Sequence, residues 1–138
     1  MHKINQIFIK SVVKRALDED LKPKGDITTN LISLKNKKTT AKIIAKQNGI
    51  VAGLNFCKAA FKLIGKETIF IGKVKDGSKV KKNKVIAEIK AKTKTILIAE
   101  RTALNFLNHA SGIASLTNQF VQKVNKKTKI CCTRKTTP

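Results

Sequence analysis

Apolar residues recur at helical spacing near both ends of the chain and in its middle. The segment from Ile4 to Leu17 is interpreted as an amphipathic first helix that ends before Pro23. Its predicted apolar face consists of Ile4, Ile7, Phe8, Ser11, Val12 and Leu17. A shorter helix is predicted from Asn55 to Ile64, with Asn55 as its N-terminal cap and Gly65 after its end.

Between these helices, apolar and polar residues partly alternate, which is typical of half-buried strands. Thr39 to Gly53 is interpreted as one strand with a bend at Gly49 or as two short strands. Thr68 to Glu100 is strand-rich, with a tight turn at Asp76-Gly77 and a last predicted strand in T-I-L-I-A-E. Lys129 to Thr133 is predicted to be a further short strand. These patterns predict an α+β fold with a small, mostly antiparallel sheet packed by helices.

The longest helical pattern runs from Glu100 to Val124, and Ser111-Gly112 is a point where it could kink or divide. One side is a predicted core face: Ala103, Phe106, Leu107, Ala110, Ile113, Ala114, Val121 and Val124. The opposite side is a polar line that could receive a polar partner: Arg101, Asn105, Asn108 and Gly112. A cation in the first turn of a helix interacts unfavourably with the helix dipole, which favours an anion there by about 0.3 to 1 kcal/mol. Arg101 is therefore either tolerated as a solvated residue or kept for another purpose.

Length and composition predict one globular domain, since the chain has 138 residues of which 41% are hydrophobic. It has no run of about 18 apolar residues and no signal-peptide pattern, so a cytoplasmic protein without a membrane partner is expected. The cysteines Cys57, Cys131 and Cys132 are odd in number and two are adjacent, which indicates neither a disulfide framework nor a metal site. We expect Cys131 and Cys132 to be buried in a strand.

The chain is strongly basic, with 30 Lys plus Arg against 8 acids and a net charge of +22. Such a field attracts polyanions, including a small polyanionic substrate. Nucleic acid is not the expected partner, because the lysines are spread along the chain and there is no Trp or Tyr for base stacking. The acidic cluster Asp18, Glu19, Asp20 and Asp26 is interpreted as a counter-charge within the chain or a subunit contact, and a structural role is favoured.

Three segments have a more specific pattern. Glu100 to Gly112 reads E-R-T-A-L-N-F-L-N-H-A-S-G and is followed by I-A, and Thr133 to Pro138 reads T-R-K-T-T-P. Near the start, Glu19 to Thr29 reads E-D-L-K-P-K-G-D-I-T-T. These three segments resemble signatures of the quinolinate phosphoribosyltransferase family (nicotinate-nucleotide pyrophosphorylase, carboxylating). They also follow one another in the same order as in that family.

The resemblance implies a hammerhead-like small antiparallel sheet with packed helices, followed by the first strand of an incomplete (β/α) barrel. Residues 1–100 would be the amino-terminal α+β domain, and 101–127 a long connecting helix or helix pair. Residues 128–138 would be the truncated start of the barrel domain. The family also implies a homodimer or a larger homo-oligomer.

The resemblance further implies a substrate site shared by two subunits. Arg134 and Lys135, with the Thr133 hydroxyl, would bind substrate from one barrel, and Arg101 would reach in from the dimer partner. Arginine suits a planar carboxylate through paired charge-assisted hydrogen bonds, whereas lysine supplies a point charge. His109 is interpreted as a packed or capping side chain and is left out of the site.

The implied reaction makes nicotinate mononucleotide, pyrophosphate and CO2 from quinolinate and phosphoribosyl pyrophosphate in NAD biosynthesis. Mg2+ would accompany the phosphoribosyl pyrophosphate, with its ligands outside this chain. No covalent protein nucleophile is required.

The chain departs from the family pattern in two places. Cys132 stands where the family usually has an aspartate, and the sequence ends at Pro138, before the remaining barrel and its further ligands. We therefore expect the chain alone to be catalytically inactive, as a truncated gene product, a split partner or an excerpt. Two other interpretations stay open: a basic nucleic-acid-binding module, and a non-catalytic dimerisation or assembly domain.

Overall fold

The computed structural model describes residues 4–31, 37–124 and 128–133. Helices and strands follow one another in the order α1 (Gln6–Leu21), α2 (Ile27–Leu31), β1 (Lys38–Ile44), β2 (Gly49–Ile50), α3 (Leu54–Ile64), β3 (Ile69–Gly72), β4 (Lys79–Val80), β5 (Val85–Lys92) and α4 (Thr93–Lys123). The predicted α+β fold is confirmed.

The main sheet has three strands in the order β1-β5-β3, and both pairings are antiparallel. Ile89 of the central strand lies opposite Ala41 on one side and Phe70 on the other, on the face that packs against the core. The other face is solvated, as is common for antiparallel sheets. A second antiparallel pair joins β2 and β4, so Thr39 to Gly53 contains two short strands.

The hydrophobic core lies between the inner sheet face and the helices α1, α3 and α4. It includes Ile9, Val13, Val51, Cys57, Ala60, Phe61, Ile89, Ile96, Ala99, Ala103 and Leu107. Burial raises the pKa of the Cys57 thiol to about 12, with a smaller contribution from the negative charge of Asp76. This cysteine is therefore a packed, protonated side chain near neutral pH, as expected for a buried thiol.

The predicted apolar face of α1 is wrong in its first half. Ile4, Ile7 and Phe8 are exposed, with Ile7 76% accessible, whereas Ile9, Val13 and Leu17 are buried. The buried residues recur every four positions and form one ridge, which packs mainly on α3. The predicted end of the helix before Pro23 is confirmed.

The N-terminal cap of α3 is also different from the prediction. Gly53, with φ +95°, precedes the helix, and the Asp76 carboxylate accepts a hydrogen bond of 3.0 Å from the Leu54 amide. Asp76 lies in the predicted tight turn, whose Gly77 has φ +88°. The cap of α3 is thus supplied by a distant turn rather than by Asn55. Gly65 follows the helix as predicted.

The residues T-I-L-I-A-E, predicted as a strand, are the start of α4. Ile96, Ala99 and Ala103 are buried on one helical ridge, so packing against the core favours the helix. Since α4 begins at Thr93, Arg101 stands beyond the first turn, and the opposition between its charge and the helix dipole does not apply. The helix continues through Ser111-Gly112 to Lys123 without division. The proposed boundary between residues 100 and 101 falls inside it.

The second half of α4 does not lie in the core. Ile113 and Val121, predicted as core residues, are 56% and 42% exposed. Leu116 and Phe120 are exposed to a similar degree. We call these four residues the α4 apolar surface. In the described part of the chain these side chains stay largely exposed, so the helical pattern alone overestimates the core.

The chain after α4 differs from the prediction as well. Among the described residues, 129–133 form no strand and belong to neither sheet, so the strand predicted there is not observed. Cys131 and Cys132 are exposed rather than buried. Thr133 is exposed, whereas Arg134 and Lys135 lie outside the described residues.

Candidate functional site

Arg101 lies on α4 where this helix passes the end of α1. Its guanidinium Nη1 donates a hydrogen bond of 3.0 Å to Asp20 Oδ1. The Arg101 side chain is 75% exposed, whereas the Asp20 side chain is only 22% exposed. The acidic segment near the start of the chain therefore meets the arginine of the long helix in space. The predicted counter-charge within the chain is confirmed for this pair.

A second acid of the same segment, Asp26, lies in the electrostatic environment of Arg101. Its carboxylate accepts hydrogen bonds from the amide and the hydroxyl of Thr29, at the beginning of α2. These hydrogen bonds lower the pKa of Asp26 below its ordinary value of 3.8 against some desolvation, and the charges of Arg101 and Lys94 lower it further. Asp26 is thus held as a carboxylate that fixes the start of α2.

The lowered pKa of Asp26 predicts a pH dependence of stability. Its carboxylate stabilises the fold fully above the unfolded-state value of 3.8, and this contribution is lost as the pH falls through the lower folded-state pKa. Asp26→Ala should therefore unfold at lower urea concentration than the parent at about pH 7, with a difference that closes below about pH 4. Urea titrations followed by circular dichroism measure it. A difference that is unchanged at about pH 2 would contradict the assignment.

A cleft of about 620 Å³ lies between α1 and α4 beside the Arg101–Asp20 pair. Its polar lining consists of Glu19, Asp20, Thr102, Asn105 and His109. Hydroxyl, amide, imidazole and carboxylate groups in one cleft can accept and donate hydrogen bonds to a polar ligand. His109, which the sequence analysis left aside, lies here and not in the core.

The predicted polar line of α4 is exposed along its length, but it does not face one site. Asn105 lines the cleft beside Arg101. Asn108 and Gly112 line a different cavity of about 570 Å³ between β1, β2 and α4. The line is therefore a ridge between two cavities, and only its first half belongs with Arg101.

Two serines of α4 have a structural role that their sequence pattern did not indicate. Ser111 Oγ accepts from the Ala52 amide at 3.0 Å and donates to the Ala52 carbonyl at 3.1 Å. Ser115 Oγ accepts from the Ile50 amide at 2.8 Å. These bonds satisfy backbone groups of the β2 segment and join it to the helix. Gly112 between the serines is exposed, and a Cβ there would meet nothing within 4 Å.

The other predicted substrate ligands stand at the end of the described residues or beyond it. Thr133 is exposed, and the two cations that follow it lie outside the described part. Sequence reasoning named Asp20 as one of four acids in a counter-charge cluster but did not pair it with Arg101. The available signal was the concentration of acids between Asp18 and Asp26 in a strongly basic chain.

The described residues do not fit a magnesium site. Among residues 4–31, 37–124 and 128–133, no three His, Cys, Asp or Glu side chains are grouped to hold a metal ion. Oxygen ligands are what Mg2+ requires, and Asp20 and Asp26 are engaged with Arg101 and Thr29. We therefore derive no step through a metal from these residues. In this same part of the chain, no helix has the length and apolar character needed to cross a membrane.

Known proteins with similar sequences and structures cover nearly the whole chain. The family model "Quinolinate phosphoribosyl transferase, N-terminal domain" matches residues 26–111. The probable nicotinate-nucleotide pyrophosphorylase (carboxylating) of Methanocaldococcus jannaschii is 42% identical over 95% of this chain and 46% of its own length. The corresponding Bacillus subtilis protein is 35% identical over 98% of this chain and 46% of its own length. The chain thus spans about half the length of these relatives.

Solved structures agree with this assignment. NadC from Streptococcus pyogenes has a TM-score of 0.93 at 34% identity, covering 100% of this chain and 49% of its own. The nicotinate-nucleotide pyrophosphorylase from Francisella tularensis has a TM-score of 0.83 at 32% identity, covering 90% of this chain and 44% of its own. The resemblance seen in the sequence is confirmed, together with the small antiparallel sheet and its helices. This chain belongs to the quinolinate phosphoribosyltransferase family and corresponds to its amino-terminal part.

Proposed function

We propose that this chain is the amino-terminal half of a quinolinate phosphoribosyltransferase and that Arg101 binds a carboxylate of quinolinate. The reaction would convert quinolinate and phosphoribosyl pyrophosphate to nicotinate mononucleotide, pyrophosphate and CO2 in the cytoplasm. The single observation that carries this proposal is the placement of Arg101, 75% exposed beside a polar cleft and anchored on one side by Asp20. The family relationship supplies the substrate.

The chemistry of the guanidinium supports this role. Arginine presents several N–H donors in a planar fork, which match the two oxygens of a carboxylate. Among the described residues, the hydrogen bond from Nη1 to Asp20 is the one found at the Arg101 guanidinium. Further donors are therefore left for a ligand that approaches from solvent.

The remaining substrate groups would be bound by Thr133, the last described residue, and by residues beyond it. We propose that Arg134, Lys135 and the Thr133 hydroxyl bind quinolinate from the barrel domain. Mg2+ would enter with phosphoribosyl pyrophosphate and neutralise charge on the pyrophosphate, with carboxylate ligands supplied by that same domain.

We also propose a homodimer in which Arg101 of one subunit completes the site of the other. The α4 apolar surface supports an assembly, since its exposed Ile, Leu, Phe and Val side chains lose contact with water when another surface covers them. The occupant would be the barrel domain of this polypeptide or of its twin.

The nucleic-acid alternative has weaker support. Lys38, Lys42, Lys90 and Lys92 share the solvated face of the sheet, which would attract a phosphate backbone. The aromatic residue of β3, Phe70, lies on the opposite face with Ile89, so it cannot stack on bases at the lysine face. Charge alone favours this interpretation.

The experiment compares two proteins in a pyrophosphate-release assay with quinolinate and phosphoribosyl pyrophosphate. One is the 138-residue chain. The other, called the joined protein, is residues 1–138 followed by the rest of the Bacillus subtilis relative. Quinolinate-dependent release is expected from the joined protein and not from the chain alone. Turnover by the chain alone would contradict the proposal that activity requires the barrel domain. A folded joined protein that binds no quinolinate would contradict the proposed function.

A further inference from the structure

We propose that Asp20 is a positioning residue, which holds the Arg101 guanidinium in the orientation that receives the substrate carboxylate. The inference rests on the proposed function, because it requires that Arg101 binds substrate. It adds a role for the amino-terminal acidic segment: its carboxylate would act on the reaction through Arg101 without touching the substrate.

The two partners of this ion pair are unequally exposed. Asp20 Oδ1 lies 3.0 Å from Arg101 Nη1, and the Asp20 side chain is 22% exposed against 75% for Arg101. Asp20 belongs to the last turn of α1, whose Leu17 is 4% exposed in the core. The carboxylate is thus attached to a packed helix, whereas the arginine extends into solvent. An exposed arginine side chain has many rotamers, so an anchored partner reduces the number it visits.

The Arg101–Asp20 pair is poorly placed to stabilise the fold. An ion pair with such an exposed partner contributes little to stability. A carboxylate in the last turn of a helix also interacts unfavourably with the helix dipole, and α1 has no basic residue in that turn. Removing the Asp20 charge should therefore leave the melting temperature unchanged or raise it slightly. A residue kept for stability would behave in the opposite way.

The first test measures the order of the Arg101 side chain in the 138-residue chain by NMR. The chain has three arginines, Arg15, Arg101 and Arg134, so the side-chain Nε–H signals are few enough to assign by substitution. Asp20→Asn should lower the heteronuclear NOE of Arg101 Nε–H and leave that of Arg15 unchanged. Asp18→Asn is the matched control, since Asp18 is on the same turn but pairs with Lys14 and Lys22. An Arg101 signal that is equally ordered in Asp20→Asn would overturn the proposal.

The second test is a double-mutant cycle in the joined protein. Asp20→Asn should raise the KM for quinolinate by about three- to tenfold with a smaller change in kcat, because the ion pair is replaced by a weaker hydrogen bond from the guanidinium to a neutral amide. Asp18→Asn should leave both constants unchanged. In the Arg101→Ala background, Asp20→Asn should have no further effect, since its action passes through the missing guanidinium.

The outcomes separate this inference from the function on which it rests. If Arg101→Ala leaves the KM for quinolinate unchanged, the proposed function fails. If Arg101→Ala raises it but Asp20→Asn matches Asp18→Asn, the positioning role alone fails. A melting temperature that falls for Asp20→Asn, with an effect on KM that persists without Arg101, would assign Asp20 a structural role and overturn the inference. If the joined protein does not fold, the NMR comparison in the 138-residue chain decides whether Asp20 positions Arg101.

Discussion

Arg101→Ala is expected to lower kcat/KM for quinolinate by about 10²-fold in the joined protein, since hydrogen bonds between charged partners contribute about 1.5 to 3 kcal/mol each. Arg101→Lys should keep part of the activity, with a loss of about tenfold, because lysine retains the charge but not the planar fork. Initial rates of pyrophosphate release over a range of quinolinate concentrations measure both effects.

Arg15→Ala is the matched control for charge. Arg15 is an exposed arginine on α1, so its removal changes the net charge by the same amount and leaves the guanidinium that pairs with Asp20 in place. Its kcat/KM should stay within about twofold of the parent. Equal losses in the two variants would mean that the overall field of the basic chain, rather than Arg101, attracts the substrate.

Ile89→Ala is expected to cause the largest loss of stability, about 2 to 5 kcal/mol, because truncating a buried isoleucine removes transfer free energy and leaves a cavity. Ile89 is 1% exposed in the central strand, between Ala41 and Phe70. Urea unfolding of the 138-residue chain, followed by circular dichroism, gives the free energy difference.

The matched control is Ile69→Ala, the same substitution on the solvated face of the sheet. Ile69 is 55% exposed and lies opposite Lys90 on β5. The free energy of unfolding of Ile69→Ala should fall by less than about 1 kcal/mol, as is usual for substitutions at exposed positions. Comparable losses at both positions would indicate that the solvated face is covered in solution, for instance by self-association.

The parts of the fold that sequence predicts well are those whose signal is local. The helix from Leu54 to Ile64, the turn at Asp76-Gly77 and the alternation in β5 depend on residues within a few positions of one another. The first turns of α4 escaped prediction because T-I-L-I-A-E is rich in β-branched residues, and only the burial of Ile96 and Ala99 against the core favours a helix.

The candidate site shows the same division between local and distant signals. Arg101 was recognisable because its neighbours on α4 form a family signature. Its partner Asp20 is 81 positions away, and the cap of Leu54 by Asp76 spans 22 positions. Such pairings depend on how α1 crosses α4 and where the turn after β3 points. Neither periodicity nor residue type contains that information.

The continuity of α4 has a mechanical consequence. A helix of 31 residues is about 46 Å long, and Arg101 lies near one end of it while the α4 apolar surface occupies the other. Because α4 is continuous, a neighbouring domain pressed against Leu116 and Phe120 would transmit any tilt along the helix to the Arg101 backbone. Arg101 is seven residues, about 10 Å, from the helix midpoint, so a tilt of about 10° around that point would displace its backbone by about 2 Å, a large part of the length of a hydrogen bond.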